Sequence, residues 1–433
     1  MATKKKTKKS KLQLVKGMKD ILPDEQKYWD LIRDKVDNFA HNYGFSRVDT
    51  PIVKSTNLFK RSVGEDTDIV SKEMFSFETP GKDKVSLRPE GTAGVVRSYI
   101  EHGMLNMPQP VKLFYMGPNF RYDKPQAGRY RQFWQCDVDT IGTASMLADA
   151  EIVSLAQTFF NFWNLNVVIK VNNRKLLNGI LTQAGIKNKE NALIAIDKLE
   201  KIGIPGVKKE LQERKYTAVQ IKKVLSCIQE NITLPQLQKI MTDEEGKEGI
   251  EELKELFSYC KLLGVKNAMF DMSMVRGLSY YTGTVFEVFL KKGKVTSSLA
   301  GGGRYDNMIG NFMGGNRIVP AVGIAFGIAP IMDVLKEKET KTESIAKVYI
   351  IPINTVKESL KIAQTLRDKG INTDFALGKK GVSKNLQYAN ALRIPYTIII
   401  GEDEVKKGKV TLRNMVSGNE TLLTLSEVIT QLQ

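Results

Sequence analysis

Apolar residues recur at helical spacing early in the chain: Tyr28, Ile32, Val36, Phe39 and Tyr43 form one stripe that opens at Pro23–Asp24 and stops at Gly44. The segment from Phe45 to Val53 then reads as a strand. Pro51 marks it as an edge or interface strand, because proline brings no N–H to a ladder. Further strands are predicted at 73–78, 84–88, 112–121 and 130–141, with helices at 91–102 and 147–163. From 172 to 265 the texture changes to helical sequence rich in lysine and glutamate, which predicts a helical insertion. Strand character returns at 268–290 and 297–301, and the apolar, glycine-containing segment 321–335 reads as a helix. Residues 336–344 have a linker's composition. Beyond them the rhythm alternates: strand 348–353, helix 356–369 closed by Gly370, strand 371–375, helix 381–392, strand 396–400, a hairpin around Gly408 and a last helix. That alternation predicts a small α/β domain.

A chain of 433 residues exceeds the size at which one hydrophobic core usually stops growing, so two or three domains are expected. Cys136, Cys227 and Cys260 lie far apart with no Cys-x-x-Cys pair, which argues against a disulfide framework and against protein-bound zinc. The same cysteine usage, with no apolar run long enough for a bilayer and no signal-peptide core, leads us to expect a cytoplasmic protein. The net charge of +17 adds a further inference. Lys4, Lys5, Lys6, Lys8, Lys9 and Lys11 form a basic tail over residues 1–11 whose composition is that of a solvated segment, and the excess elsewhere suits a polyanionic partner.

Candidate chemistry concentrates in two stretches. Residues 276–287 read Arg-Gly-Leu-Ser-Tyr-Tyr-Thr-Gly-Thr-Val-Phe-Glu: a fixed planar cation, a glycine, and two adjacent tyrosines at the start of a β-branched run. Alone, this fits either a core strand with a surface arginine or a site for a phosphate and a small polar ring. Residues 120–142 contain two strands broken by Pro125 and Gly128 around a basic loop. In the second strand Arg131, Phe133, Gln135, Asp137 and Asp139 share one face, with Tyr130, Gln132, Trp134, Cys136 and Val138 on the other. By alternation alone the polar face would turn to water. Gly301-Gly302-Gly303 lacks the Gly-Lys-Ser/Thr ending of a P-loop and reads as a close backbone approach.

Together these stretches resemble the histidyl-tRNA synthetase family of class II aminoacyl-tRNA synthetases, over residues 14 to the end. Residues 120–142 resemble class II motif 2. Arg276–Tyr281 and Leu299–Asp306 resemble the two histidine-specific motifs, Arg88-Pro-Glu-Gly-Thr92 the amino-acid-binding segment, and the helix and strand ending near Pro51 motif 1. The resemblance implies an α+β fold: an antiparallel sheet with flanking helices, a helical insertion, and a C-terminal α/β anticodon-binding domain. The implied division is a catalytic domain at 12–171 and 266–335, the insertion at 172–265, a linker at 336–346 and the anticodon-binding domain at 347–433. It implies ligation of L-histidine to tRNA(His) through a histidyl-adenylate, with ATP and its Mg2+ as substrate, in a homodimer that requires no membrane.

By the same resemblance Arg121 and Arg276 are the catalytic arginines at the α-phosphate. Glu90, Gly91, Thr92 and Gln135 surround the substrate's α-ammonium group, and Asp139 and Tyr281 meet the imidazole, with Tyr280 lining the pocket. Arg121, Arg129 and Arg276 bind ATP, and Gln126, Arg129 and Arg131 are candidates for the tRNA acceptor end. Asp139 is one methylene shorter than the glutamate of many bacterial relatives, and Ser279 replaces a common acidic residue. The motif 3 acid–arginine pair is missing, because Ala329 and Pro330 stand in its place. Arg129, Arg304 or Arg317 is the expected substitute at the γ-phosphate. Among the family's relatives, the regulatory subunit of ATP phosphoribosyltransferase, which binds histidine without aminoacylating, is the alternative. The intact Arg276 motif and full C-terminal domain argue against it.

Overall fold

The computed structural model describes residues 13–433 except 64–66, 68, 125–129, 230–231, 276–279, 294–296, 316, 339–343 and 379–380. The helix Pro23–Asn42 carries the expected stripe, burying Tyr28, Trp29, Ile32, Val36 and Ala40. Pro23 suits its first turn, where an N–H has no intrahelical acceptor, and Asp24 and Glu25 sit at the positive end of the helix dipole. The buried stripe packs on a large sheet; Trp29 meets Trp134 edge-on with centroids 5.2 Å apart.

That sheet has eight strands in the order Ser46–Arg47, Val111–Phe120, Gln132–Ile141, Ala321–Gly327, Ala300–Arg304, Thr284–Leu290, Val167–Asn173, Ala268–Phe270. The outermost pair at each edge is parallel, and every pair between them is antiparallel. Both faces are covered. Cys136, Val138, Ile324 and Phe326 join the core beneath the helices Pro23–Asn42 and Met146–Phe162, while Leu113, Tyr115, Ile141 and Ala321 pack with Val95, Val96 and Tyr99 of the helix Thr92–Glu101.

Two expectations are corrected here. The segment 45–53 is not one strand: Ser46–Arg47 joins the large sheet, and Val53–Ser55 belongs to a separate sheet ordered Val53–Ser55, Lys84–Leu87, Ser76–Glu78. Pro51 falls between the two pieces. The segment 321–335 is a strand, Ala321–Gly327, running into the helix Ile328–Lys338. A strand buried on both faces is apolar throughout, so it lacks the period-2 pattern that would separate it from a buried helix.

Gly302 and Gly323 allow adjacent strands their approach. A Cβ on Gly302 would stand 2.0 Å from the Gly323 carbonyl oxygen, and one on Gly323 would stand 2.2 Å from Asp139 Oδ1. The insertion is helical, from Arg174–Gln183 to Glu244–Leu262, and Leu176, Leu253, Leu256 and Cys260 continue the same hydrophobic core as the sheet.

Residues 339–433 cluster as a second unit. Its sheet runs Thr373–Phe375, Val348–Pro352, Tyr396–Ile400, Val410–Asn414, Glu420–Leu423. Val348, Ile350 and Ile398 face one core layer, and Tyr349, Ile351 and Ala389 the other, as expected of an α/β domain. The chain reverses around Gly408, φ +63°, between the antiparallel strands Tyr396–Ile400 and Val410–Asn414, with the short helix Glu402–Lys406 in the connection. It reverses again between Val410–Asn414 and Glu420–Leu423, where Gly418 has φ +76°. Among the described residues no helix is long and apolar enough to cross a membrane.

Candidate active site

The strand Gln132–Ile141 keeps its expected alternation but buries its polar face. Asp137 and Asp139 are each 2% exposed, because the helix Thr92–Glu101 and the Tyr280–Tyr305 aromatic pair cover that side of the sheet. Glu90, just before this helix, accepts a hydrogen bond from the Ala93 N–H at 3.0 Å, so its carboxylate also satisfies one of the helix's first-turn donors. Thr92, at the helix start, donates to Glu90 as well. Gly91 permits the close fit: a Cβ there would lie 1.8 Å from the Tyr115 ring and 2.4 Å from Asp137 Oδ2.

Glu90, Asp137 and Asp139 therefore converge: Asp137 feels the charges of Asp139 and Glu90, and Asp139 feels that of Glu90. Burial raises the Glu90 carboxyl, with the Ala93 N–H and Arg121 pulling it partly back. Burial, then the charges of Asp139 and Glu90, push Asp137 well above the usual carboxylate range. Burial lifts Asp139 to about 7 against the hydrogen bond from Tyr305, whose hydroxyl donates to Asp139 Oδ1. Asp137 Oδ1 and Asp139 Oδ2 are buried with no hydrogen-bond partner among the described residues. Such a pocket is short of positive donors, which a cationic amino acid carries.

The walls are held from behind. Asn119, fully buried, donates to Gln135 Oε1 at 2.6 Å and to the Tyr115 hydroxyl at 2.8 Å. Tyr281 is 7% exposed with its ring 4.6 Å from that of half-buried Tyr280. Arg121 donates from Nε to the Pro89 carbonyl at 2.8 Å and lies over the Phe133 ring at 5.3 Å, which orients its guanidinium beside Glu90. Arg88, from the same segment as Glu90, is structural: it donates to the carbonyls of Pro118 and Thr50 and stacks on Tyr115.

The expected residues Glu90, Gly91, Thr92, Arg121, Gln135, Asp139, Tyr280 and Tyr281 thus lie around one another. Arg276, Gln126, Arg129 and Ser279 lie outside the described residues. Arg131, expected near the acceptor end, turns inward. It is 9% exposed, donates to the carbonyls of Asp123 and Lys16 at 3.2 Å, and stacks 3.5 Å over Tyr122. Arg304 is also corrected as a γ-phosphate candidate: it is 2% exposed, paired with Asp149 and Asp306 and bonded to the carbonyls of Thr143 and Ser145. Arg317 is exposed. Pro330 falls in the first turn of the helix Ile328–Lys338, a place that needs no N–H donor. Sequence reasoning missed Asp137, Asn119 and Tyr305. Tyr305 stood inside the second histidine motif, and Asp137 shared a face with Gln135 and Asp139.

The antiparallel centre of the sheet, with helices on both faces and a separate C-terminal α/β unit, is the architecture of a class II aminoacyl-tRNA synthetase. Comparison with known proteins narrows the class. The family model for histidyl-tRNA synthetase matches residues 17–331, and that for the anticodon binding domain matches 347–433. Histidine--tRNA ligase 1 of Bacillus cereus (strain ATCC 10987 / NRS 248) is 38% identical over 422 residues, covering 96% of this chain and 95% of its own. The histidyl-tRNA synthetase of Nostoc sp. PCC 7120 superposes with a TM-score of 0.80 at 26% identity, over 98% of this chain and 100% of that one. The apo S. aureus histidyl-tRNA synthetase gives 0.72 at 26% identity over 97% and 99%. The chain belongs to the histidyl-tRNA synthetase family.

Proposed function

We propose that the chain ligates L-histidine to tRNA(His), using ATP to form a histidyl-adenylate. The observation that carries this is the acid cluster of buried Asp137 and Asp139 and half-buried Glu90 beside an oriented Arg121. Glu90, Thr92 and Gln135 hold the α-ammonium group. Asp139, steadied by Tyr305, accepts from one imidazole nitrogen, and Tyr281 meets the other. An amino acid lacking those ring nitrogens leaves buried polar groups unpaired, and such a loss discriminates strongly.

The histidine carboxylate is already ionised, so no protein base is required. Its oxygen attacks the α-phosphorus of ATP, the bond to the bridging oxygen breaks, and pyrophosphate leaves with the Mg2+ that entered with ATP. Arg121 and Arg276 offset the negative charge that grows on the α-phosphate. With Arg304 committed elsewhere, Arg129 and Arg317 are the remaining cations for the γ-phosphate. In the second step a hydroxyl of the tRNA's terminal ribose attacks the adenylate carbonyl and AMP departs, with Gln126 and Arg129 at the acceptor end. Residues 12–171 and 266–335 form the catalytic domain, 172–265 the insertion that braces the tRNA, and 347–433 the domain that reads the anticodon. We place the enzyme in the cytoplasm as a homodimer. One face of the three-stranded sheet carries Val53, Phe77, Val85 and Leu87, with Val53 45% and Phe77 47% exposed, and it adjoins a cavity of about 510 Å3 lined by Pro51, Leu58 and Phe312. A second copy covers such a surface well. The regulatory-subunit alternative gains no observation of its own.

Histidine-dependent ATP–pyrophosphate exchange tests the reading. Arg276→Ala should reduce it by about 10³–10⁵-fold, the range for losing a transition-state arginine. Near-parental exchange in that variant would remove Arg276 from the mechanism, and no exchange in the parent would remove the activity itself.

A further inference from the structure

We propose that Asp137 is a substrate-binding acid of this pocket, receiving the substrate's α-ammonium group together with Glu90. The inference rests on the pocket's being the histidine site.

Asp137 lies between Gln135 and Asp139 on one face of one strand, so the three side chains are spaced about 6–7 Å apart along it. Its two neighbours are already tethered, Gln135 by Asn119 and Asp139 by Tyr305. Asp137 has no such tether: Oδ1 is buried without a partner among the described residues. Its Oδ2 reaches the backbone that carries Glu90, because a Cβ on Gly91 would stand 2.4 Å from it. The cation nearest in sequence to that backbone is Arg88, whose hydrogen bonds go to the Pro118 and Thr50 carbonyls. Two acids thus bracket Gly91 at the start of the helix Thr92–Glu101.

An acid buried beside like charges with no fixed counter-ion is costly unless a ligand supplies the missing donor. An ammonium group supplies up to three N–H donors, enough for Glu90, Asp137 and one further acceptor. Burial first, then the charges of Asp139 and Glu90, hold the Asp137 carboxyl well up, against Arg88 and Arg121, so an ammonium group there offsets both lost solvation and repulsion.

Two probes separate the ends of the substrate. Histidinol keeps the ammonium group and ring without the carboxylate; imidazolepropionate keeps the ring and carboxylate without the ammonium group. In Asp137→Asn, the histidine KM in pyrophosphate exchange and the Kd for histidinol should rise on the order of tenfold or more, as expected for losing a hydrogen bond to a charged group. The Kd for imidazolepropionate and the KM for ATP should stay within about twofold. The melting temperature should hold or rise, because a repelling carboxyl is removed. Unchanged histidinol binding overturns the proposal. Equal weakening of both probes, or a variant that melts lower or fails to fold, assigns Asp137 a structural role and overturns it too. Exchange in the unsubstituted enzyme reports on the functional reading independently of all of these outcomes.

Discussion

Asp139 sits in a position that its sequence neighbours disguise. A strand alternating Gln and Asp with Trp, Cys and Val normally wets its polar face, and only the resemblance of the surrounding motifs made Gln135 and Asp139 candidates. Glu90, Arg121 and Tyr281 were legible for the same reason. Asp137 and Tyr305 were not, because nothing in a single sequence says that the Thr92–Glu101 helix covers that face. The burial has a pH signature. The Asp139 carboxyl moves from an ordinary 3.8 to about 7, by burial first, partly opposed by the Tyr305 hydroxyl. Between those values the folded chain binds more protons than the unfolded chain, so stability falls as pH rises through this window. Asp139→Asn removes the titration. Its melting temperature relative to the parent should be lowest near pH 5 and increase by pH 8, measured without ligands, while histidine-dependent exchange falls. A difference between the two proteins that stays flat over that range would rule out this assignment.

At the scale of elements, the helix Pro23–Asn42 and the alternation of the C-terminal unit followed directly from periodicity and from punctuation by Pro23, Gly44 and Gly370. The central strand Ala321–Gly327 did not, since it is apolar on both faces and its glycines imitate a flexible helix. Gly323 on this strand and Gly302 on its neighbour allow the close approach that the pocket's sheet requires. Gly302 pairs with Ile324, and a Cβ on it would meet the Gly323 carbonyl oxygen at 2.0 Å, an atom of backbone that has no side chain to swing aside. Gly302→Ala should therefore destabilise by about 1–3 kcal/mol or more through overpacking. A melting temperature equal to the parent's would show that the two strands can part at no cost. Arg304, on the same strand, was misjudged because an arginine in a motif suggests a ligand contact. Its position opposite Asp149 makes it a buried brace between strand and helix instead.

For the whole molecule, the composition shift around 336–344 marked the approach of the second unit, and basic charge correctly suggested a polyanionic partner without naming it. The surface bearing Val53 and Phe77 gave no signal in sequence beyond Pro51, because exposed apolar residues look like any short strand. If it is the dimer face, Val53→Asp combined with Phe77→Asp should halve the mass measured by light scattering on a sizing column. An unchanged dimer mass would place the interface elsewhere. One contact also sets a lower limit on the chain itself. The carbonyl of Lys16 accepts from the Arg131 guanidinium, and the Gly17 carbonyl accepts the Arg131 backbone N–H at 2.7 Å. Trimming the protein to its first helix at Pro23 would strip both acceptors from a cation that is 9% exposed, at the base of the strand holding Gln135, Asp137 and Asp139. A fragment that keeps both acceptors begins ahead of the first helix, at the turn holding Lys16 and Gly17.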